Sequence, residues 1–104
     1  MRPTSVGAVL TFENIVLDLE TFRVTLDCRQ IHLGPTEFRI LETLIEQPGR
    51  VWSREKLLDH LWRRHVNVNT RVVDIHIGRL RKALGQSQRY FPIRTVRGAG
   101  YALG

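Results

Sequence analysis

The stretch that decides the fold is Thr70 to Leu84, TRVVDIHIGRLRKAL. Placed on a helix at about 100° per residue, Val73, Ile77, Leu80 and Leu84 fall on one narrow stripe, the i, i+4, i+7, i+11 spacing of a core-facing side. The opposite side carries Arg71, Ile75, Gly78 and Lys82, with Val72 and Arg79 on one flank and Asp74 on the other. A merely solvated face interleaves acids and bases four residues apart, whereas Asp74 is the only acid here against Arg71, His76, Arg79, Arg81 and Lys82. Ile75 among these cations suits a surface that reads base edges, where an apolar side chain meets a thymine methyl while arginine reaches guanine. An ordinary amphipathic helix with a basic exterior would show the same periodicity, so this window alone leaves both readings open.

The composition narrows the choice. A chain of 104 residues is one domain, able to bury a core but too short to add a separate catalytic lobe. Its net charge of +6 and pI near 10.7 favour nucleic acid, an anionic membrane or an acidic protein as partner. The charge is segregated: residues 1–49 hold four Lys/Arg against seven Asp/Glu, and residues 50–104 hold twelve against three. Cys28 is alone, so an internal disulfide is excluded. No apolar run approaches the roughly 18 residues that span a bilayer, and the first ten residues lack the pattern of a signal peptide. These features predict a soluble cytoplasmic protein without a membrane partner.

Residues 1–9, with Pro3, Ser5 and Gly7, open no periodic pattern and are expected to be a flexible lead-in, leaving 10–104 as the domain. The segment up to Leu33 alternates in short runs: Leu10, Phe12; Ile15, Leu17, Leu19; Phe22, Val24, Leu26; Ile31, Leu33. Breaks at Glu13-Asn14, Glu20-Thr21 and Asp27 to Gln30 predict a small antiparallel meander with one face on a core. Pro35 fits the first position of a helix capped by Gly34, with Glu37 at the positive end of its dipole and Phe38, Leu41, Leu44 and Ile45 inward. Gln47-Pro48-Gly49 stops that helix, and Arg50 to Trp52 is a short extended link. Ser53 caps a second helix, Leu57, Leu58, Leu61 and Trp62 inward, running to about Trp62. Arg63 to Asn69 is a basic loop. Beyond Leu84, Gly85 to Gln88 turns the chain into extended segments at Tyr90–Ile93 and Thr95–Val96, a turn at Arg97–Gly100 and a return through Tyr101 to Leu103, a hairpin with a positive tip.

A sheet, three helices and a terminal hairpin, in that order, is the layout of a winged helix-turn-helix of the α+β class, and at this point the motifs become specific. Val73-Asp74-Ile75-His76-Ile77, then Leu80 to Leu84, then Ile93 to Tyr101, resemble the C-terminal effector domain of OmpR/PhoB-type response regulators, most of all the PhoB branch. Leu33 to Phe38 and Ser53 to Leu58 are similar to the openings of that family's first two helices, and the resemblance covers about Leu10 to Leu103. It implies a four-stranded N-terminal sheet, a third helix in the major groove of double-stranded DNA, and a wing reaching the adjacent minor groove. It also implies a preceding receiver domain, a second protomer on tandem direct repeats, and recruitment of RNA polymerase holoenzyme: the output of a two-component regulatory system.

Carried over residue by residue, the resemblance places Arg79, Val72, Asp74 and Ile75 at base edges. It places Trp62, Arg71, His76, Arg81, Thr95 and Tyr101 at phosphates and Arg97 in the minor groove, and Lys82, on the same basic face, is expected at a phosphate too. The loop residues Arg63, Arg64, His65 and Asn67 stand where the family meets polymerase. Gly78 departs from the basic residue common there, and Val72 from a polar one, so the target sequence is not carried over. Trp62 and Tyr101 each join an apolar body to one polar tip, so core packing and phosphate contact are compatible, and His76 flanks the buried stripe, where a neutral hydrogen-bonded role competes. Catalytic and metal readings are weak. His60 and His65 flank a helix end with no Cys nearby, Gly98-Ala99-Gly100 precedes a strand rather than a helix, and Asp74 has no evident acid/base partner. The expectation is a non-enzyme without cofactor that binds specific DNA sequences to regulate transcription; the competing reading is a winged helix used mainly to dock an acidic protein.

Overall fold

The computed structural model describes residues 9–62, 69–85 and 92–104. A four-stranded antiparallel sheet in the order β1 (Val9–Phe12), β2 (Ile15–Asp18), β3 (Arg23–Leu26), β4 (Arg29–Ile31) leads the chain. It is followed by α1 (Pro35–Glu46), α2 (Arg54–Leu61), α3 (Arg71–Ala83) and a hairpin of β5 (Ile93–Val96) and β6 (Gly100–Leu103). This is the expected winged-helix architecture. β1 takes in Val9, β4 starts at Arg29 inside the expected break, and Tyr90, Phe91 and residues 63–68 lie outside the described residues.

Alternation along β2 and β3 puts Ile15, Leu17 and Val24 on the buried face, with Leu10, Phe12, Leu26 and Ile31 packed around them. The registers are set by tight turns. Leu26 pairs with Arg29, leaving Asp27-Cys28 as a two-residue loop with both φ values positive, 54° and 64°. That geometry favours Asn-Gly or Asp-Gly. Asp27 is also tied sideways to the first turn, accepting from Asn14 Nδ2 at 2.6 Å while its N–H donates to the Asn14 carbonyl at 3.1 Å. At the β2–β3 turn, hydrogen bonds from the Thr21 and Glu20 N–H groups to the Asp18 carboxylate hold its pKa below the usual value against the small opposing effect of burial. Phe22, expected in the third strand, instead sits in this turn at φ 56°, 71% exposed, with its ring edge-to-face on Phe38.

The apolar middle is built around α1. Phe38, Ile40, Leu41, Leu44 and Ile45 are buried, and the helix packs against β1, β6, α2 and α3, so its apolar surface is wider than a single stripe. Leu57, Leu58 and Leu61 close the core from α2, whose first turn is capped by Ser53 Oγ accepting from the Lys56 N–H at 3.0 Å.

The link between α1 and α2 is more than a connection. Trp52 and Tyr101 exchange two backbone hydrogen bonds, 2.8 and 2.9 Å, and Gly49 N–H reaches the Leu103 carbonyl at 2.7 Å, so this segment lies along β6 as a third extended element. The close approach needs Gly100. A Cβ there would stand 1.9 Å from the Trp52 carbonyl oxygen, and φ is +144°.

Three substitutions test these backbone requirements by urea unfolding. Gly100→Ala is expected to cost about 3 kcal/mol because backbone must move, more than Gly98→Ala, whose site is open and which meets only the left-handed penalty of about 1–2 kcal/mol. Cys28→Gly is expected to raise stability by up to about 1 kcal/mol by relieving the turn.

Candidate nucleic-acid interface

α3 is set by its buried stripe and then fixed along both flanks. Val73, Ile77 and Leu80 are essentially without exposure and Leu84 is buried beside them, as the spacing predicts. The helix start is held by a residue the sequence reading passed over: Asn69 Oδ1 accepts from the Arg71 N–H at 2.8 Å and its carbonyl from Val72 at 3.0 Å, while Thr70 makes no side-chain cap.

One flank faces the start of α1. His76 Nδ1 lies 2.5 Å from Glu37 Oε2, and with the carboxylate ionised the proton between them belongs to the imidazole. Glu37, expected as an exposed dipole partner, is only 7% exposed. Burial raises its pKa, but the His76 hydrogen bond, its own backbone N–H and the charges of His76 and Arg79 outweigh this and hold it below the usual carboxylate value. The Trp62 indole is half-buried against the His76 ring, centroids 5.8 Å apart.

The other flank faces α2 and the hairpin. Asp74 accepts from Tyr101 Oη at 2.5 Å on one carboxylate oxygen and from Arg54 Nη1 at 2.9 Å on the other. Arg81 donates to the Ile93 carbonyl from Nε and Nη2, 3.2 and 3.0 Å, and to Thr95 Oγ1 at 2.8 Å, with its guanidinium 5.5 Å from the Tyr101 ring centroid. Burial, the hydrogen bond to Asp74 and its negative charge push the Tyr101 phenol up to about 12, against the opposing charges of Arg81 and Arg54. Arg54 is a member of this cluster that sequence reasoning missed. It stands 20 positions before Asp74, a separation without local spacing that would flag it.

Between the flanks, Arg71, Ile75, Gly78, Arg79 and Lys82 are exposed, Ile75 at 48%. Among the described residues, the side chains of Arg71, Arg79, Lys82 and Arg97 make no hydrogen bond or ion pair within the fold. His76, Arg81, Thr95, Tyr101 and Asp74 all do. Val72 is partly exposed beside them. An open cleft of about 350 Å³ is lined by Arg54 and Glu55 from α2, Asp74 from α3 and the hairpin from Thr95 to Tyr101, so Arg97 at the hairpin tip borders the same opening as the start of α3. Arg63, Arg64, His65 and Asn67 lie outside the described residues.

A basic helix seated on a helical core beside a turn-tipped hairpin defines a winged helix-turn-helix. Residues 28–103 match the family model described as transcriptional regulatory protein, C terminal. The PhoB phosphate regulon transcriptional regulatory protein of Rhizobium meliloti is 52% identical over 102 residues, 98% of this chain and 45% of that protein. The response regulator DrrB of Thermotoga maritima, an OmpR/PhoB homolog, superposes with a TM-score of 0.82 at 39% identity, covering 92% of this chain and 44% of its own. The Klebsiella pneumoniae RstA DNA-binding domain, solved in complex with the RstA box, does so with a TM-score of 0.81 at 29% identity, covering 91% and 95%. The chain belongs to the OmpR/PhoB family of transcriptional regulator C-terminal domains, and it spans under half the length of the PhoB proteins it matches.

The flank contacts predict two pH responses. Because Glu37 is held below its ordinary value of 4.5, its contribution to stability is complete above that pH and is lost as pH falls through the lower folded value. In urea, Glu37→Gln should therefore unfold more readily than wild type near neutrality and converge with it at strongly acidic pH. The Tyr101 phenol, raised from 10 to about 12, favours the fold below pH 10, and this is lost as pH rises toward 12. In Asp74→Asn, the ultraviolet titration of Tyr101 should move back toward 10.

Proposed function

We propose that this chain binds double-stranded DNA in a sequence-specific manner to regulate transcription, with α3 in the major groove and the hairpin wing at the adjacent minor groove. The observation that carries this is the exposed surface of α3 and the wing: the side chains of Arg71, Arg79, Lys82 and Arg97 make no hydrogen bond or ion pair among the described residues, whereas His76, Arg81, Thr95 and Tyr101 beside them do. Cations exposed in this way are available to phosphates and base edges. The RstA domain's complex with its box supports the same use of the fold.

In this reading Arg79 reads a guanine, Val72 and Ile75 make apolar base contacts, and Arg71 and Lys82 meet phosphates together with the outer edges of Trp62, His76, Arg81, Thr95 and Tyr101. Arg97 enters the minor groove. Asp74 adds to its place near the bases the task of holding Arg54 and Tyr101. The whole protein is a cytoplasmic two-component response regulator, with a receiver domain joined to this one through residues 1–8, two protomers on tandem direct repeats, and Arg63, Arg64, His65 and Asn67 meeting RNA polymerase. The greater length of the PhoB relatives supports the additional domain. The domain itself acts by binding rather than by catalysis.

Selection from a random duplex library gives the site, and titration on it tests the reading. With about four phosphates neutralised, affinity should fall roughly a hundredfold between about 50 and 200 mM salt; a flat salt response contradicts the proposal. Arg79→Ala should cost about 1–3 kcal/mol on the selected site and relax preference at one base pair, while Lys82→Ala should weaken all duplexes alike.

A further inference from the structure

Gly78 is the one residue of α3 that the fold does not explain. It lies in the helix interior, where glycine is about the least favourable residue after proline. Its backbone is not in the left-handed region, and a Cβ built on it meets nothing within 4 Å, so neither conformation nor packing requires the missing side chain. Its position is informative. Arg71, Ile75, Gly78 and Lys82 form the outward ridge of the helix, and Gly78 interrupts that ridge between a half-exposed isoleucine three residues before it and a lysine four residues after. The result is a gap in that ridge, open above a bare Cα, with Ile75 and Lys82 as its neighbours along the ridge.

We propose that Gly78 is a specificity-determining position, the gap it leaves in the ridge letting the C5-methyl group of one thymine in the major groove come close to the helix beside Ile75. Thymine is the base whose major-groove edge projects a methyl, and apolar contact with that methyl discriminates for it. The inference rests on the DNA-binding reading above.

The test uses Gly78→Ala and wild type on the selected site, together with a scan in which each thymine is replaced singly by deoxyuridine, which lacks only that methyl. Gly78→Ala should melt about 4–8 °C higher, as expected for removing an interior helix glycine from a domain of this size. It should nevertheless bind the selected site at least about fourfold more weakly, with binding to unrelated duplex unchanged. In wild type, one deoxyuridine position should lose about fourfold, the worth of one buried methyl group, and the variant should be insensitive there. Undiminished binding by Gly78→Ala, or a flat deoxyuridine scan, overturns the role given to Gly78 while leaving DNA binding intact. Failure of wild type to select or bind any duplex overturns both.

Discussion

The structure depends on how α3 is held. Its apolar stripe fixes the helix axis on α1 and α2, but a stripe alone lets a helix rock and slide. Polar contacts on both flanks limit that freedom: Glu37 grips His76 on one side, and Arg54, Tyr101, Ile93 and Thr95 grip Asp74 and Arg81 on the other. Both sets of contacts leave the same ridge uncovered. The position of that ridge is therefore set by contacts on both of its sides.

Charge segregation follows from the same arrangement. The acidic half of the chain supplies the four-stranded sheet and α1, and the basic half supplies α2, α3 and the wing. Glu37 is the point at which the acidic half reaches across: nearly buried, it pairs with His76 and lies within range of the Arg79 charge. The link at Trp52 does the corresponding work for the wing. By pairing with Tyr101, and by crowding Gly100, it ties the hairpin to the α1–α2 connection, so the wing is fixed to the same frame as the helix it accompanies.

Much of this was legible in the sequence because it depends on local period. The 3.6-residue pattern of Val73, Ile77, Leu80 and Leu84 gave the buried side of α3, alternation gave the sheet, and Ser53, Pro35 and Gly85 marked helix ends. What was not legible depends on long separations. The Arg54–Asp74, Glu37–His76 and Trp52–Tyr101 contacts join residues with no shared periodicity, and through Glu37 the His76 side chain also fastens the fold. Phe22 was misplaced because a left-handed turn residue looks like a strand residue when only hydrophobicity is counted. Asn69 was overlooked because it closes a polar stretch, Arg63 to Asn69, that has no helical period.

The central claim is that the ridge between the two flanks, with the wing beside it, is the surface that meets duplex DNA. Backbone amide shift mapping on adding the selected duplex tests it most directly. The account predicts perturbed amides concentrated along Arg71 to Lys82 and around Arg97, with β1 to β4 unchanged. Perturbation confined to the N-terminal sheet, with α3 and the wing silent, would contradict it.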